Sequence, residues 1–191
     1  MSEIEGEVRE EELDPQAEAR RRLALAQIRQ FPDPVLKLHA REVEAFDDEL
    51  RALVERMKSL MADASGIGLA GNQVGVLRRV FVFQPGADDD IVAVVNPQIG
   101  DRSEEVVEDE EGCLSLQGIR VPVERSVRVS ITGTDIEGGE LRLELEGIGA
   151  RVAQHELDHL DGVLILDRTT PEARREAMAV LRPKPLLVTR P

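Results

Sequence analysis

The chain has 191 residues, which is enough for one domain with a hydrophobic core. Its formal net charge of −14 argues against specific DNA binding and broad nucleic-acid binding, because such binding depends on Lys and Arg that neutralise phosphates. The acidic N-terminus lacks the apolar region of a secretory signal, and no apolar run approaches the ~20 residues of a membrane-spanning helix, so the sequence predicts no membrane contact.

The N-terminal part of the chain differs in composition from the remainder. Residues 1–22 carry eight acidic side chains and four Arg with few apolar residues, which predicts a solvated acidic arm that precedes one domain of residues 23–182. Asp14 and Pro15 suit the N-cap and first position of a helix, so the arm is expected to be helical from there onward. Residues 47–62 place Leu, Val and Met at helical spacing, which predicts an amphipathic helix capped by Asp47.

A glycine-rich segment comes next, with the sequence Gly66-Ile67-Gly68-Leu69-Ala70-Gly71-Asn72-Gln73-Val74-Gly75. Four glycines in ten residues indicate a close backbone approach, either to the chain itself or to a ligand. The segment has neither the glycine spacing of a dinucleotide-binding turn nor the Gly-Lys-Ser/Thr ending of a phosphate loop. An extended segment able to pair with a peptide fits the pattern better.

Short apolar runs and alternating patterns predict the strands. They cover residues 79–84, 91–96, 119–123, 127–132, 140–146 and 163–166. Asn96-Pro97 predicts a turn after the second run, and residues 135–139 predict a hairpin between the fourth and fifth. Helices are expected over residues 148–160 and from Pro171 to about residue 181.

The only cysteine lies in the stretch Glu111-Gly112-Cys113-Leu114-Ser115. A single cysteine excludes an internal disulfide and suits a reducing compartment, so a cytoplasmic protein is expected. From its surroundings alone, Cys113 has three interpretations: a buried structural thiol, a nucleophile paired with a histidine, or a metal ligand.

The stretch Gln154-His155-Glu156-Leu157-Asp158-His159 contains the pattern His-Glu-x-x-His. A helix advances by about 100° per residue, so His155 and His159 lie about 40° apart around the axis and can bind one metal ion. Glu156 can then act as an acid–base group toward water at that ion. The alternative is a solvated helix that carries these residues by coincidence. A catalytic metal usually needs a third protein ligand, and this need favours the ligand interpretation of Cys113.

The C-terminal end is basic. A solvated tail over residues 183–191 is the simpler interpretation, and contact with RNA or another acidic surface is the more specific one. Six basic side chains stand here against two Glu: Arg168, Arg174, Arg175, Arg182, Lys184 and Arg190.

Three of these stretches together resemble the signature motifs of peptide deformylases. They are residues 66–73, 111–115 and 154–159, in the family's order and at similar spacing. The likeness extends from about residue 28 to residue 181, and the short distance between the first two motifs resembles the compact bacterial members. Gly71 stands where the family usually has Ala, which is expected to loosen the substrate-facing segment, and Gln117 stands where a Pro often follows the Cys motif.

The resemblance implies an α+β fold, in which mixed or antiparallel β-sheets pack around the central motif helix, with an N-terminal and a C-terminal helix. It implies one divalent metal ion held by Cys113, His155 and His159. The ion is typically Fe2+, with Zn2+, Ni2+ or Co2+ as substitutes. A thiolate with two imidazoles suits all four metals, so the sequence does not choose among them.

The resemblance further implies a hydrolase that removes the formyl group from the N-terminal formyl-methionine of nascent polypeptides and releases formate. By the family's pattern Glu156 is the base, while the Gln73 side-chain amide and the Leu114 backbone N–H stabilise charge on the formyl oxygen. The residues expected to contact the substrate are Ile67, Gly68, Glu111 and Gly112. The basic C-terminal end is then a candidate contact with the ribosome.

Two rival functions share parts of this pattern. A zinc endopeptidase shares His-Glu-x-x-His, but Cys113 and Gln73 argue against it. A non-catalytic relative that only binds nascent chains or ribosomes is opposed by the intact Cys113, Glu156 and Gln73.

Overall fold

A computed structural model describes residues 14–181. The predictions for residues 1–13 and 182–191 fall outside this described part. The helices are α1 (Pro15–Leu25), α2 (Asp48–Asp63), α3 (Gly147–Leu160), α4 (Ile165–Arg168) and α5 (Pro171–Leu181), with short 3-10 helices at Pro34–Lys37 and Gly71–Val74. The strands are β1 (Gly68–Ala70), β2 (Val80–Phe83), β3 (Val92–Arg102), β4 (Val106–Gly112), β5 (Arg120–Ser126), β6 (Arg128–Thr134) and β7 (Glu140–Glu146). No helix within residues 14–181 combines the length and the apolar character needed to cross a membrane.

The strands form two antiparallel sheets. The larger has the order β1-β2-β3-β6-β7, and β4 pairs with β5 in the smaller one. Val80 and Val82 of β2 pack in the same apolar cluster as α2, whereas Phe81 and Phe83 pack in the cluster that contains residues of α3. The large sheet is therefore covered on both faces, which explains why β2 is an uninterrupted apolar run.

Helix α3 is central, because it contacts strands of both sheets. All but a few of its residues from Gly149 onward are buried. It ends at Leu160 with Asp161 as its C-cap, and Gly162 follows with a φ of 70°. A Cβ on Gly162 would lie 2.6 Å from the Lys37 carbonyl oxygen, so both the backbone angle and the space require glycine there. The α+β fold expected from the resemblance is confirmed.

The two predicted helix N-caps, Asp14 and Asp47, are confirmed. The Asp14 carboxylate accepts from the backbone N–H of Gln16 at 3.4 Å, and the Asp47 carboxylate accepts from that of Leu50 at 2.9 Å. Ala24 and Leu25 at the end of α1 are buried in the cluster that includes residues of α2. The domain boundary predicted at residue 22 thus falls inside a continuous helix that packs on the domain.

The strand predicted at residues 163–166 is wrong. The chain forms the short helix α4 there, because the Asp167 carboxylate accepts from the backbone N–H of Leu164 at 2.8 Å and caps a helical turn. A four-residue apolar run does not distinguish a buried strand from a buried helix, so periodicity could not decide this case.

The turn predicted at Asn96-Pro97 is also wrong, since β3 continues to Arg102. Asn96 has a φ of 49°, and the register with β6 shifts between Val95 and Gln98, so the chain makes a bulge and keeps its direction. The Asn96 side chain stabilises the bulge by bonding to both backbone groups of Val43, at 2.8 and 2.9 Å.

Strand β4 was not expected from its acidic sequence. It forms because every residue from Val106 to Gly112 pairs with β5, although Glu111 is the one buried residue of β4. Glu111 lies opposite Val121, which is also buried. The position of β4 matters because Cys113 directly follows it.

Gly71 is tightly packed. A Cβ there would lie 2.6 Å from the Arg78 carbonyl oxygen and 2.8 Å from that of Val76. The absence of a side chain lets these carbonyls approach the turn at Gly71–Val74, so this packing does not indicate the loosening expected from the sequence.

We expect Gly71→Ala to lower the free energy of unfolding by about 1–3 kcal/mol, because the added methyl group must displace two backbone carbonyls. Denaturant unfolding followed by circular dichroism measures the effect. Gly112→Ala is the matched control, because its Cβ would meet no atom closer than 3.7 Å. Equal unfolding midpoints for the two variants would contradict this interpretation.

Candidate active site

The three predicted metal ligands converge. Cys113 follows β4, while His155 and His159 lie one turn apart on α3. The Cys113 Sγ is 3.2 Å from the His159 Nε2, and the ligand atoms of all three residues lie within 4.8 Å of one another. Within residues 14–181 this is the one cluster of His, Cys and acidic side chains with metal-ligand geometry.

The pKa values of the two histidines are shifted in opposite directions. Burial lowers the pKa of His159 well below its usual value, so its imidazole is neutral and offers a lone pair. Burial also acts against a charged His155, but hydrogen bonds with Cys113 and Glu111 outweigh burial and raise its pKa well above the usual value. The surroundings of His155 therefore favour a positive charge, while the neutral imidazole of His159 is in the form that binds a cation.

Glu156 lies beside the ligands and is 3% exposed. Burial raises the pKa of its carboxyl group to about 7, and its Oε2 has no hydrogen-bond partner among residues 14–181. The other carboxylate oxygen lies 2.2 Å from the place of a Cβ on Gly68, so the glycine makes room for the carboxylate. A carboxyl group that titrates near neutrality suits proton transfer in both directions.

The orientation of Gln73 is fixed by its own turn. Its side-chain Oε1 accepts from the backbone N–H of Ala70 at 2.8 Å, so the amide nitrogen must face the other way. That nitrogen donates to the Ser115 Oγ at 3.2 Å and lies 3.6 Å from the Cys113 Sγ. The amide nitrogen is thereby held beside the predicted metal ligands.

A cleft of about 720 Å³ opens over this cluster. It brings together every predicted catalytic and substrate-contact residue: Ile67, Gly68, Gln73, Glu111, Gly112, Leu114 and Glu156. Cys113 and His155 also line the cleft, whereas His159 lies behind them and is 1% exposed.

Glu111 lines the cleft, but its carboxylate is committed to neighbouring side chains. It accepts from Arg125 at 2.9 and 3.0 Å, from Arg151 at 2.8 Å, and pairs with the His155 Nδ1 at 3.0 Å. Burial acts to raise the pKa of Glu111, yet the hydrogen bonds from His155 and Arg125 prevail and lower it. This carboxylate therefore orients the His155 ring, and its contact with substrate remains only a prediction.

Glu111, Arg125 and Asp158 form a buried ionic cluster. Sequence reasoning missed the roles of Arg125 and Asp158 in it. The Arg125 guanidinium also donates to Asp158 at 2.6 Å, and Arg168 donates to the same carboxylate at 2.6 and 3.0 Å. One signal was available: the alternation of β5 places Arg125 on the same face as Val121 and Val123, which marks it as an inward-facing cation.

The comparisons with known proteins agree with this geometry. A family model described as polypeptide deformylase matches residues 25–175. The chain belongs to this family. It is 40% identical over 176 residues to a peptide deformylase of Parafrankia sp. (strain EAN1pec), covering 88% of this chain and 96% of that protein. It is 45% identical over 160 residues to a peptide deformylase of Acidothermus cellulolyticus, covering 84% of this chain and 87% of that protein.

Solved structures of peptide deformylases are similar as well. The crystal structure of the Thermotoga maritima protein matches with a TM-score of 0.72 and 46% identity, covering 75% of this chain and 97% of that one. The Plasmodium falciparum deformylase, solved in complex with an inhibitor, matches with a TM-score of 0.75 and 37% identity. The match covers 81% of this chain and 96% of that one.

Two aspartates near the end of α3 allow the buried ionic cluster to be tested. We expect Asp158→Asn to lower the free energy of unfolding by about 3–5 kcal/mol, because it leaves the buried Arg125 without a full counter-charge. Asp161→Asn is the control, because the Asp161–Arg79 pair is far more exposed. Loss of that pair is expected to lower the free energy of unfolding by about 1 kcal/mol or less. Chemical denaturation measures both, and equal losses would argue against the importance of the cluster.

Proposed function

We infer that this chain is a metal-dependent hydrolase that removes the formyl group from the N-terminal formyl-methionine of nascent polypeptides and releases formate. The observation that carries the proposal is the convergence of Cys113, His155 and His159 beside the buried Glu156, in a cleft of a chain that belongs to the deformylase family. The cleft also contains a fixed amide donor, Gln73.

The donor set fits a divalent transition metal. One thiolate and two imidazoles suit iron, zinc, nickel or cobalt, and we propose ferrous iron as the native ion on the basis of the family resemblance. When bound, the ion supplies Lewis acidity toward water and the formyl carbonyl group. The protein supplies the proton transfers and the hydrogen bonds.

We assign proton transfer to Glu156. Its carboxylate takes a proton from the attacking water and returns it to the amine that leaves when the formyl C–N bond breaks. Negative charge builds on the formyl oxygen during the attack, and the Gln73 side-chain amide and the Leu114 backbone N–H donate to it. Loss of one such donor typically costs about 10²–10³ in rate.

The peptide would bind as an added strand. Strand β1 is at the edge of the large sheet, so one side of its backbone is not paired within that sheet. Ile67 and Gly68 line the cleft, and so does Gly112 at the end of β4. Backbone hydrogen bonds from an extended peptide would satisfy these edges whatever the peptide sequence, which suits an enzyme that acts on many nascent chains.

The substrate and the thiolate ligand both favour a cytoplasmic location, because nascent chains emerge there and thiols stay reduced there. A ribosome contact through the basic C-terminal end stays a prediction. Within the described residues, Arg168, Arg174 and Arg175 form ion pairs with Asp158, Asp167 and Glu172 in turn. The other three basic residues, Arg182, Lys184 and Arg190, lie outside the described part of the chain.

Replacement of Glu156 by Gln tests the acid–base role. We expect kcat for a formyl-methionyl peptide to fall by about 10²–10⁴, because the variant cannot take up the proton of water, while the metal content per chain stays the same. Formate release and metal analysis on the same sample measure both quantities. Glu144→Gln, which makes the same change at an exposed position on β7, should behave as wild type. Near wild-type deformylation by the Glu156 variant would refute the assignment.

Replacement of Cys113 by Ser tests the ligand set. Loss of the thiolate should lower the metal retained after dialysis against a chelator, because an alcohol is a much weaker ligand than a thiolate. Metal content per chain measures this directly, with unfolding by denaturant as a check that the variant is folded. A metal content equal to that of the wild type would reject Cys113 as a ligand.

A further inference from the structure

The cleft extends beyond the catalytic residues to helix α1. Arg21 and Leu25 of α1 line this end, together with Ser65 and Gly66 of the loop after α2. Arg21 lies upstream of residues 25–175, which match the family model. This chain therefore adds a cation to the cleft wall from a segment outside the matched region.

The position of Arg21 is set by two anchors. Leu25, one helical turn later on the same face of α1, is buried in the core. The Arg21 Nε donates to the Ala64 carbonyl oxygen at 3.4 Å, which ties the side chain to the loop beside the cleft. The residue is exposed, and within residues 14–181 it forms no ion pair with a carboxylate.

Of the other arginines that line the cleft, Arg151 is more strongly engaged, while Arg120 makes one side-chain hydrogen bond, as Arg21 does. Arg151 donates to Glu111 and to the backbone carbonyls of Val123 and Val107, and Arg120 donates to the Glu110 carbonyl at 3.1 Å. Among residues 14–181, the guanidinium of Arg21 makes one hydrogen bond, through its Nε. Its terminal nitrogens thus remain able to bind a carboxylate that enters the cleft.

The distance from the reacting group decides which part of a substrate Arg21 can meet. Gly68 lies against the Glu156 carboxylate, and Ala64 comes four residues earlier in the chain. At roughly 3.3 Å per residue, four residues span at most about 13 Å, which is also the reach of three to four residues of an extended peptide. This length is an upper limit, since residues 64–67 form a turn, so an extended peptide with its formyl group at Glu156 that runs along this wall reaches Arg21 by about its fourth residue.

We propose that Arg21 is a specificity-determining residue, which favours formyl-methionyl peptides with an acidic side chain at their third or fourth residue. This inference rests on the proposed deformylase function and deepens it. The chain carries a net charge of −14, and Glu110 lines the same cleft, so acidic substrates meet repulsion elsewhere on the protein. Arg21 provides a local attraction for them.

The test uses the full, metal-loaded chain and C-terminally amidated peptides of the form formyl-Met-Ala-Xaa-Xaa, in which Xaa is Glu, Gln or Lys. The amide removes the terminal carboxylate, so only the side chains carry charge. The kcat/KM for formate release is measured for the wild type, Arg21→Gln, Arg21→Glu and Arg20→Gln. Arg20 is the matched control because it is an exposed neighbour on α1 that does not line the cleft.

We expect the wild type to prefer the Glu peptide over the Gln peptide by about two- to fivefold, as for an exposed ion pair. The preference should appear mainly in KM, since the ion pair is present before and during the reaction, and it should shrink at high salt. Arg21→Gln should abolish the preference, Arg21→Glu should shift it to the Lys peptide, and Arg20→Gln should keep the wild-type ratio.

Two results would overturn the proposal: a wild type that does not distinguish the Glu and Gln peptides, or an Arg21→Gln variant that keeps the wild-type ratio. Both leave the deformylase function intact, because formate is still released from the Gln peptide. A wild type that releases formate from none of the peptides would instead reject the proposed function itself.

Discussion

The buried ionic cluster of Glu111, Arg125 and Asp158 is the contact on which the arrangement of the site depends. Cys113 and His159 are 46 residues apart in sequence and belong to different elements, yet their ligand atoms must stay a few ångströms apart. Glu111 precedes Cys113 by two residues, Asp158 immediately precedes His159, and the Arg125 guanidinium bridges the two carboxylates. Such a cluster adds little net stability compared with apolar packing, but breaking it is costly, so it holds the two elements in one relative position.

Around this cluster, close packing fixes the positions of Glu156 and Gln73. Gly68 has no side chain, and this absence leaves space for the Glu156 carboxylate next to the edge strand where a peptide can pair. The backbone N–H of Ala70 fixes the Gln73 amide, so the donor is oriented before substrate arrives. Burial keeps Glu156 close to the protonation equilibrium that an acid–base group needs. Glu156 and Gln73, the proposed acid–base group and amide donor, are thus held in place by packed neighbours before any substrate binds.

The parts of the structure that the sequence predicted correctly are those that depend on local spacing. The motif helix, its two imidazoles and the helix cap at Asp47 follow from residues within one or two turns of each other. The errors arose where distant partners decide the outcome. The acidic strand β4 exists because β5 pairs with it, and the bulge at Asn96 persists because Val43 bonds to its side chain. Arg125 was missed because its partners come from two other elements, so only the alternation of β5 marked it as buried.

The central claim is that one thiolate and two imidazoles from these separate elements hold a single divalent ion. X-ray absorption at the metal K-edge of the zinc-loaded full chain tests it most directly. The claim predicts one sulfur at about 2.3 Å and two imidazole nitrogens at about 2.0–2.1 Å from the metal. A first coordination sphere that contains only nitrogen and oxygen would contradict it.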